Sequence, residues 1–255
     1  MSVLVSGYNG NNNLPKAHTK HNWTPEMVSE YIKCKNDPVY FAETYFKIVH
    51  VDKGLIPFKL YEYQKEAIQM SSRSRKFVMN ASRQCGKTSV ATVIILHYAL
   101  FNDTKRIALL ANKADTSQEI LSRIQLAYEW LPAWLKCGVS EWNKRRVEFD
   151  NGSIIFAAAS SSSSVRGQSV SMLYIDEVAF VERWEEFSAS VLPTLSSGEE
   201  TRIIFTSTPC GLNHFYYYCA NAQTNSNGFE YLEVPWYKVP GRDEKWKEEI
   251  MGMIN

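Results

Sequence analysis

The chain has 255 residues, with 45% hydrophobic and 22% charged side chains and a formal net charge of +1. That length buries the core of one large domain or two small ones, and the near-neutral charge excludes a polybasic nucleic-acid binder, so any DNA contact has to come from local patches or a partner. No apolar run reaches the roughly 18 to 20 residues that span a bilayer, no secretion signal is read at the start, and five scattered cysteines without a C-x-x-C pair favour a reduced cytosol over a disulfide framework or a thiolate zinc site.

In chain order, residues 1–22 are polar and Asn-rich and are expected to form a flexible arm. Thr24-Pro25-Glu26 reads as a helix start with proline in the first turn, and residues 23–60 as a helical lead-in rich in aromatics. Residues 61–70 read as a helix and 76–79 as a short buried strand. Residues 88–101, apolar nearly all round, predict a helix buried against a sheet, followed by a strand at 106–111 and a helix at 116–130 capped by Asp115 or Thr116. Asn151-Gly152 marks a hairpin turn between strands 147–149 and 153–156, expected to decorate the core. A serine loop at 160–164, strands at 172–175 and 202–205 and a helix at 212–220 complete a core over residues 61–225, with a C-terminal segment at 226–255. This alternation predicts an α/β fold, a mostly parallel, doubly wound sheet with helices on both faces and ligands at the carboxyl ends of its strands.

Three strand ends carry the chemistry. Ala81-Ser82-Arg83-Gln84-Cys85-Gly86-Lys87-Thr88 follows a strand and opens a helix, the setting in which a glycine-lysine loop cradles phosphates. Backbone N–H groups at the helix start point at the β-phosphate of ATP, Lys87 supplies a mobile charge, Gly86 lets the backbone approach, and Thr88 ligates Mg²⁺. The leading glycine of such loops is Ala81 here, tolerable where its φ is negative. The apolar strand Met172-Leu173-Tyr174-Ile175 ends in Asp176-Glu177. Adjacent side chains leave a strand in different directions, so Asp176 is expected to hold Mg²⁺ while Glu177 polarises the attacking water. Taken alone, two acids after a strand are a common solvated edge, and the lysine loop upstream is what gives them meaning. The third strand ends in Thr206-Ser207-Thr208-Pro209, three hydroxyls placed to sense the γ-phosphate or water, or else a simple turn into proline.

Two arginines compete to stabilise the transferring phosphoryl group: Arg83 inside the loop, and Arg166, which would reach a neighbouring subunit's ATP. Upstream, Gln64 has the groups to pair with an adenine edge and Tyr61 or Tyr63 to stack on it, although the same stretch also reads as core packing. The short basic runs at Arg73, Arg75 and Lys76 and at Lys144, Arg145 and Arg146 are weak candidates for DNA phosphates, and His18 and His21 make no convincing metal site.

The order of these parts resembles the large terminase subunit of tailed bacteriophages, the ATPase that drives DNA into the viral head. Tyr61 to Gln64, Ser82-Arg83-Gln84-Cys85-Gly86-Lys87-Thr88, Tyr174-Ile175-Asp176-Glu177 and Thr206-Ser207-Thr208 match in sequence, and Gly211-Leu212-Asn213-His214-Phe215 continues the pattern. The resemblance implies a P-loop NTPase core of the RecA/ASCE type with a small helical lid-like subdomain, built from residues 23–60 and 226–255. It implies Arg83 as in-chain arginine finger, with Arg166 kept as a possible finger in trans. It also implies double-stranded DNA, the portal protein and the small terminase subunit as partners, a homo-oligomeric ring on the portal, and the cytoplasm of the infected host. The family's metal-dependent nuclease domain is not expected in a chain that stops at Asn255, and neither is DNA cleavage. Two other classes fit parts of the pattern. One is a superfamily-2-like helicase fragment, which requires a second motor domain. The other is a nucleotide-gated scaffold without turnover, against which an intact Glu177 counts.

Overall fold

The computed structural model describes residues 7–50, 52–161, 165, 169–195 and 198–254. Helix α1 (Pro25–Asn36) starts where the sequence indicates, with the Thr24 hydroxyl accepting from Met27 N. Asp37 ends it and caps α2 (Pro38–Tyr45), taking hydrogen bonds from Val39 N and Tyr40 N. The antiparallel pair β1 (Lys47–His50) and β2 (Gly54–Pro57) precedes α3 (Glu62–Arg73). The core then alternates: β3 (Lys76–Ala81), α4 (Lys87–Phe101), β4 (Arg106–Ala111), α5 (Ala114–Glu129), β5 (Val139–Trp142), β6 (Arg146–Phe149), β7 (Ile154–Ala159), β8 (Met172–Asp176), α6 (Trp184–Leu195), β9 (Arg202–Ser207), α7 (His214–Gln223), β10 (Glu230–Val234) and α8 (Glu244–Ile254).

Eight strands form one sheet in the order β10-β3-β9-β8-β4-β7-β6-β5, parallel from β10 to β7 and antiparallel at β6 and β5. Alternation along the strands divides the core in two. Phe77, Met79, Ile107, Leu109, Met172, Tyr174 and Ile204 share one cluster with residues of α2 to α5. Val78, Ala108, Leu110, Leu173, Ile175, Ile203 and Phe205 share the other with residues of α6 and α7. Strand β9 lies between the strand that delivers the glycine-lysine loop and the strand that delivers the two acids, in a register that sets Asp176 opposite Thr206 and Asn80 opposite Ser207. The three chemically marked strand ends are therefore side by side at one edge.

Several expectations change. Residues 7–19 of the supposed flexible arm are tied down: Leu14 is 3% exposed, Val139 N donates to Pro15 O, His18 N donates to Asp150 Oδ2, and the buried Lys136 ammonium donates to Asn13 O. One buried leucine and paired backbone outweigh a polar composition. The 147–156 hairpin extends the main sheet rather than decorating it, because β7 pairs in parallel with β4. Helix α5 begins two residues early, at Ala114, with Lys113 in the cap position and no side-chain cap. The lead-in contains the β1–β2 hairpin as well as helices, and α2 belongs to the main core, where Phe41 packs on Phe46, His97 and Phe101. The C-terminal segment, expected to return to a lid, first enters the main sheet as β10 beside β3.

His97, in the middle of α4, illustrates the cost of that packing. Burial lowers its pKa to about 4, and its Nε2 lies 2.8 Å from Cys34 O, so the folded protein holds it neutral. The unfolded chain takes up the proton below about pH 6.5. The stabilising contribution is therefore complete above that value and is lost as pH falls toward 4. Urea unfolding should show the native chain losing about 2 kcal/mol between pH 6.5 and pH 5 relative to His97→Gln, which keeps a donor but does not titrate.

Candidate active site

The phosphate loop leaves β3 at the buried Ala81 and enters α4 at Lys87. Two residues take left-handed backbone, Gln84 at φ 56° and Gly86 at φ 82°. At Gly86 glycine is required twice over, since a Cβ there would also stand 2.5 Å from Gln64 Nε2. Gln64 is 3% exposed, and both ends of its amide are committed: Oε1 accepts from Tyr61 N at 3.0 Å, and Nε2 donates to Cys85 O at 3.2 Å. Tyr63 OH donates to the same carbonyl at 2.8 Å. Gln64 thus braces the loop, because a buried amide spends its polar groups on nearby backbone. Tyr61 is 44% exposed and, with a face of Tyr63, lines a cavity of about 680 Å³ shared with Leu60, Lys65, Lys238 and Pro240. Cys85 is buried, and burial pushes its thiol pKa up, which leaves it unreactive.

A residue that the sequence did not single out grips the loop from the far end of the chain. Arg242, between β10 and α8, donates to Arg83 O at 2.9 Å and Gln84 O at 3.2 Å, with Ser82 Oγ at 3.3 Å from its other terminal nitrogen. Its only sequence signal is a basic residue beside glycine and aspartate, which is ordinary until β10 is placed beside β3.

Strand β8 is buried along its length and ends in Asp176, after which Glu177 adopts left-handed backbone at φ 50° and ψ 48°. For a non-glycine residue that conformation costs of order 1 kcal/mol or more. Glu177 Oε1 meets Lys87 Nζ at 2.5 Å, while Oε2 faces Thr208 N and Thr208 Oγ1 at 3.2 Å and Ser207 Oγ at 3.3 Å. Burial raises the Glu177 pKa, but the hydrogen bond and charge of Lys87, with the Thr208 donors, outweigh it and leave the carboxyl below its ordinary value. For Asp176 burial prevails and the pKa goes up, opposed by the hydrogen bond from Thr206 Oγ1 to Oδ1 at 2.8 Å and by the Lys87 charge. Tyr174 OH completes the chain by donating to Thr206 Oγ1 at 2.8 Å. The hydroxyl triplet therefore touches both acids directly. Beyond them, Asn213 and His214 at the start of α7 bond Ala179 O and Val178 O, so the segment after the acids is tied to the helix after the triplet.

Lys87, Glu177, Thr208 and Arg83 line one cavity of about 490 Å³ with Gln84, Asn112, Lys113, Thr116 and Phe180. Arg83 is exposed and makes no ion pair among the described residues. Asn112, Lys113 and Thr116 were not anticipated, although they follow β4 and so stand at the carboxyl edge where such sheets bind ligands. Arg166 lies outside the described residues. Of the basic runs, Arg73 pairs with Glu230 and Arg146 with Glu141 and Glu148, whereas Lys144 and Arg145 stay exposed.

Comparison with known proteins finds a family model described as "Terminase large subunit, T4likevirus-type, N-terminal", matched by residues 78–250. Among solved structures, the large terminase ATPase domain of Thermus phage P74-26 superposes with a TM-score of 0.61 at 21% identity, over 75% of this chain and 87% of that one. The large terminase of bacteriophage HK97 gives 0.69 at 15% identity, over 86% and 52% of the two chains. The large terminase of a thermophilic bacteriophage, in complex with ADP, gives 0.58 at 13% identity, over 76% and 50%. At these identities the likeness is one of fold, and this chain spans about half the length of the last two proteins.

Gly86→Ala forces both a strained φ and the retreat of Gln64 from Cys85 O. It should weaken ADP binding roughly tenfold or more in calorimetric titration and also lower the melting temperature without nucleotide by a few degrees.

Proposed function

The chain belongs to the N-terminal family of terminase large subunits of the T4-like type, and on that footing we propose that it hydrolyses ATP to power the movement of double-stranded DNA into a viral capsid. The observation that carries the chemical part is the convergence of Lys87, Glu177, Thr208 and Arg83 on one cavity at the carboxyl edge of the sheet. The ADP complex of the thermophilic phage protein supports a nucleotide as the ligand. The family match favours this reading over a helicase fragment.

In this reading the triphosphate settles against the N-terminus of α4, where loop N–H groups and the helix dipole favour negative charge. Lys87 exchanges Glu177 for the β- and γ-phosphates. That exchange frees Glu177 Oε1, while Oε2 stays held by Ser207 and Thr208. The freed oxygen accepts a proton from a water molecule as the water oxygen bonds to the γ-phosphorus. The bond from that phosphorus to the β–γ bridging oxygen breaks, and ADP and phosphate leave. Arg83 offsets charge on the transferring group from within the chain. Thr88 and Asp176 suit Mg²⁺, being a hydroxyl and a buried carboxylate, the oxygen ligands that a hard cation takes. When bound, the ion supplies positive charge to the phosphate oxygens. Tyr61, 44% exposed beside the loop-bracing Tyr63, offers a surface for a base.

The remaining parts of the reading follow from family membership. They are a ring of copies on the portal protein, a small terminase subunit as partner, and action in the cytoplasm of the infected host. Among the described residues no helix is long and apolar enough to cross a membrane.

Phosphate release by the purified chain tests the chemistry. Lys87→Ala and Glu177→Gln should each abolish turnover, with Glu177→Gln still binding ATP, and Arg83→Ala should slow turnover by about 10³-fold. Near-normal release by Glu177→Gln would remove Glu177 as the base, and a loss of about tenfold or less for Arg83→Ala would place the finger elsewhere.

A further inference from the structure

Three successive carbonyls of the phosphate loop are held from outside by side chains of distant segments. Arg83 O and Gln84 O accept from Arg242, and Cys85 O accepts from Tyr63 and Gln64. In a planar trans peptide the N–H of the next residue points away from the carbonyl it is joined to. Holding these three carbonyls outward therefore aims the N–H groups of Gln84, Cys85 and Gly86 inward, toward the phosphate cradle.

The Arg242 guanidinium is itself oriented. It lies 4.7 Å from the centroid of the Trp246 ring, which stacks on Trp236 at 5.9 Å and 24°. Trp236 stands just beyond β10, and β10 pairs with β3, the strand that leads into the loop. Ser82 N donates to Val234 O at 2.9 Å and closes that connection. A planar fork can reach two carbonyls and a hydroxyl together, which the point charge of a lysine cannot.

We propose that Arg242 is a positioning residue for nucleotide binding, one that fixes the loop's N–H groups in their phosphate-binding orientation before nucleotide arrives. This rests on the reading of the loop as the ATP site. Because the N–H groups contact phosphates in ground state and transition state alike, removing their brace weakens binding more than it slows chemistry.

The test titrates ADP with Mg²⁺ into the chain by calorimetry and measures steady-state ATP hydrolysis alongside, well below the melting temperature. Arg242→Ala should raise the ADP Kd and the KM for ATP by roughly 10- to 100-fold, the range expected for lost hydrogen bonds to a charged group. Its kcat should stay within about threefold of the native value. Arg242→Lys should recover only part of the affinity. Unchanged Kd and KM in Arg242→Ala would overturn the inference even if the melting temperature fell, since that pattern means Arg242 only anchors the C-terminal segment. A loss confined to kcat would also overturn it, by making Arg242 a transition-state contact. If the native chain binds no ADP, the nucleotide reading itself fails, and this inference with it.

Discussion

Lys87 and Glu177 hold each other at 2.5 Å, and each must loosen its grip on the other to turn fully toward a phosphate or a water. In the proposed mechanism the lysine is the charge that a triphosphate needs, and the glutamate is the base that the reaction needs. On that proposal, binding nucleotide and arming the base are one event, in which the phosphates win the lysine by offering several negative charges where Glu177 offers one. The rest of the site makes that exchange clean. Ser207 and Thr208 keep one carboxylate oxygen fixed, so losing the lysine exposes the other oxygen without letting the side chain wander. Strained backbone at Glu177 persists because a fully buried strand before it and the α7 contacts after it over-determine its position.

Strand order gives this arrangement its coupling. Because β9 is inserted between β3 and β8, the hydroxyl triplet stands between loop and acids, and Thr206 joins Asp176 to the buried Tyr174. Hydrogen bonds run from Glu177 to Thr208, and from the Val178 and Ala179 carbonyls to the start of α7, so the proposed mechanism gives a change at the γ-phosphate a connected route to that helix. On the other side of the loop, Arg242 ties the same backbone to the segment before α8. The loop therefore has mechanical connections to two elements on different sides of the sheet.

Much of this was legible in the amino-acid order because its parts are contiguous and chemically constrained. The loop needs Gly86 for a left-handed backbone, β8 needs a run of apolar residues ending in acids, and the hydroxyls occupy three successive positions. What escaped depends on contacts between distant segments. Nothing in the local sequence around Gln64 announces that it is buried and braces Cys85 O, 21 residues away. Helix α6 contains Pro193, which reads as a breaker, and β10 is a five-residue run whose partner is chosen by the sheet. Leu14 stands between Asn11-Asn12-Asn13 and Pro15-Lys16, too little pattern to announce that the segment is pinned.

The most direct test is a structure of the chain with a non-hydrolysable ATP analogue and Mg²⁺, read at a single distance, Lys87 Nζ to Glu177 Oε1. The exchange requires that distance to open beyond hydrogen-bonding range, with Lys87 on the phosphates and Glu177 still held by Ser207 and Thr208. An analogue bound in the loop with the 2.5 Å pair intact would contradict it.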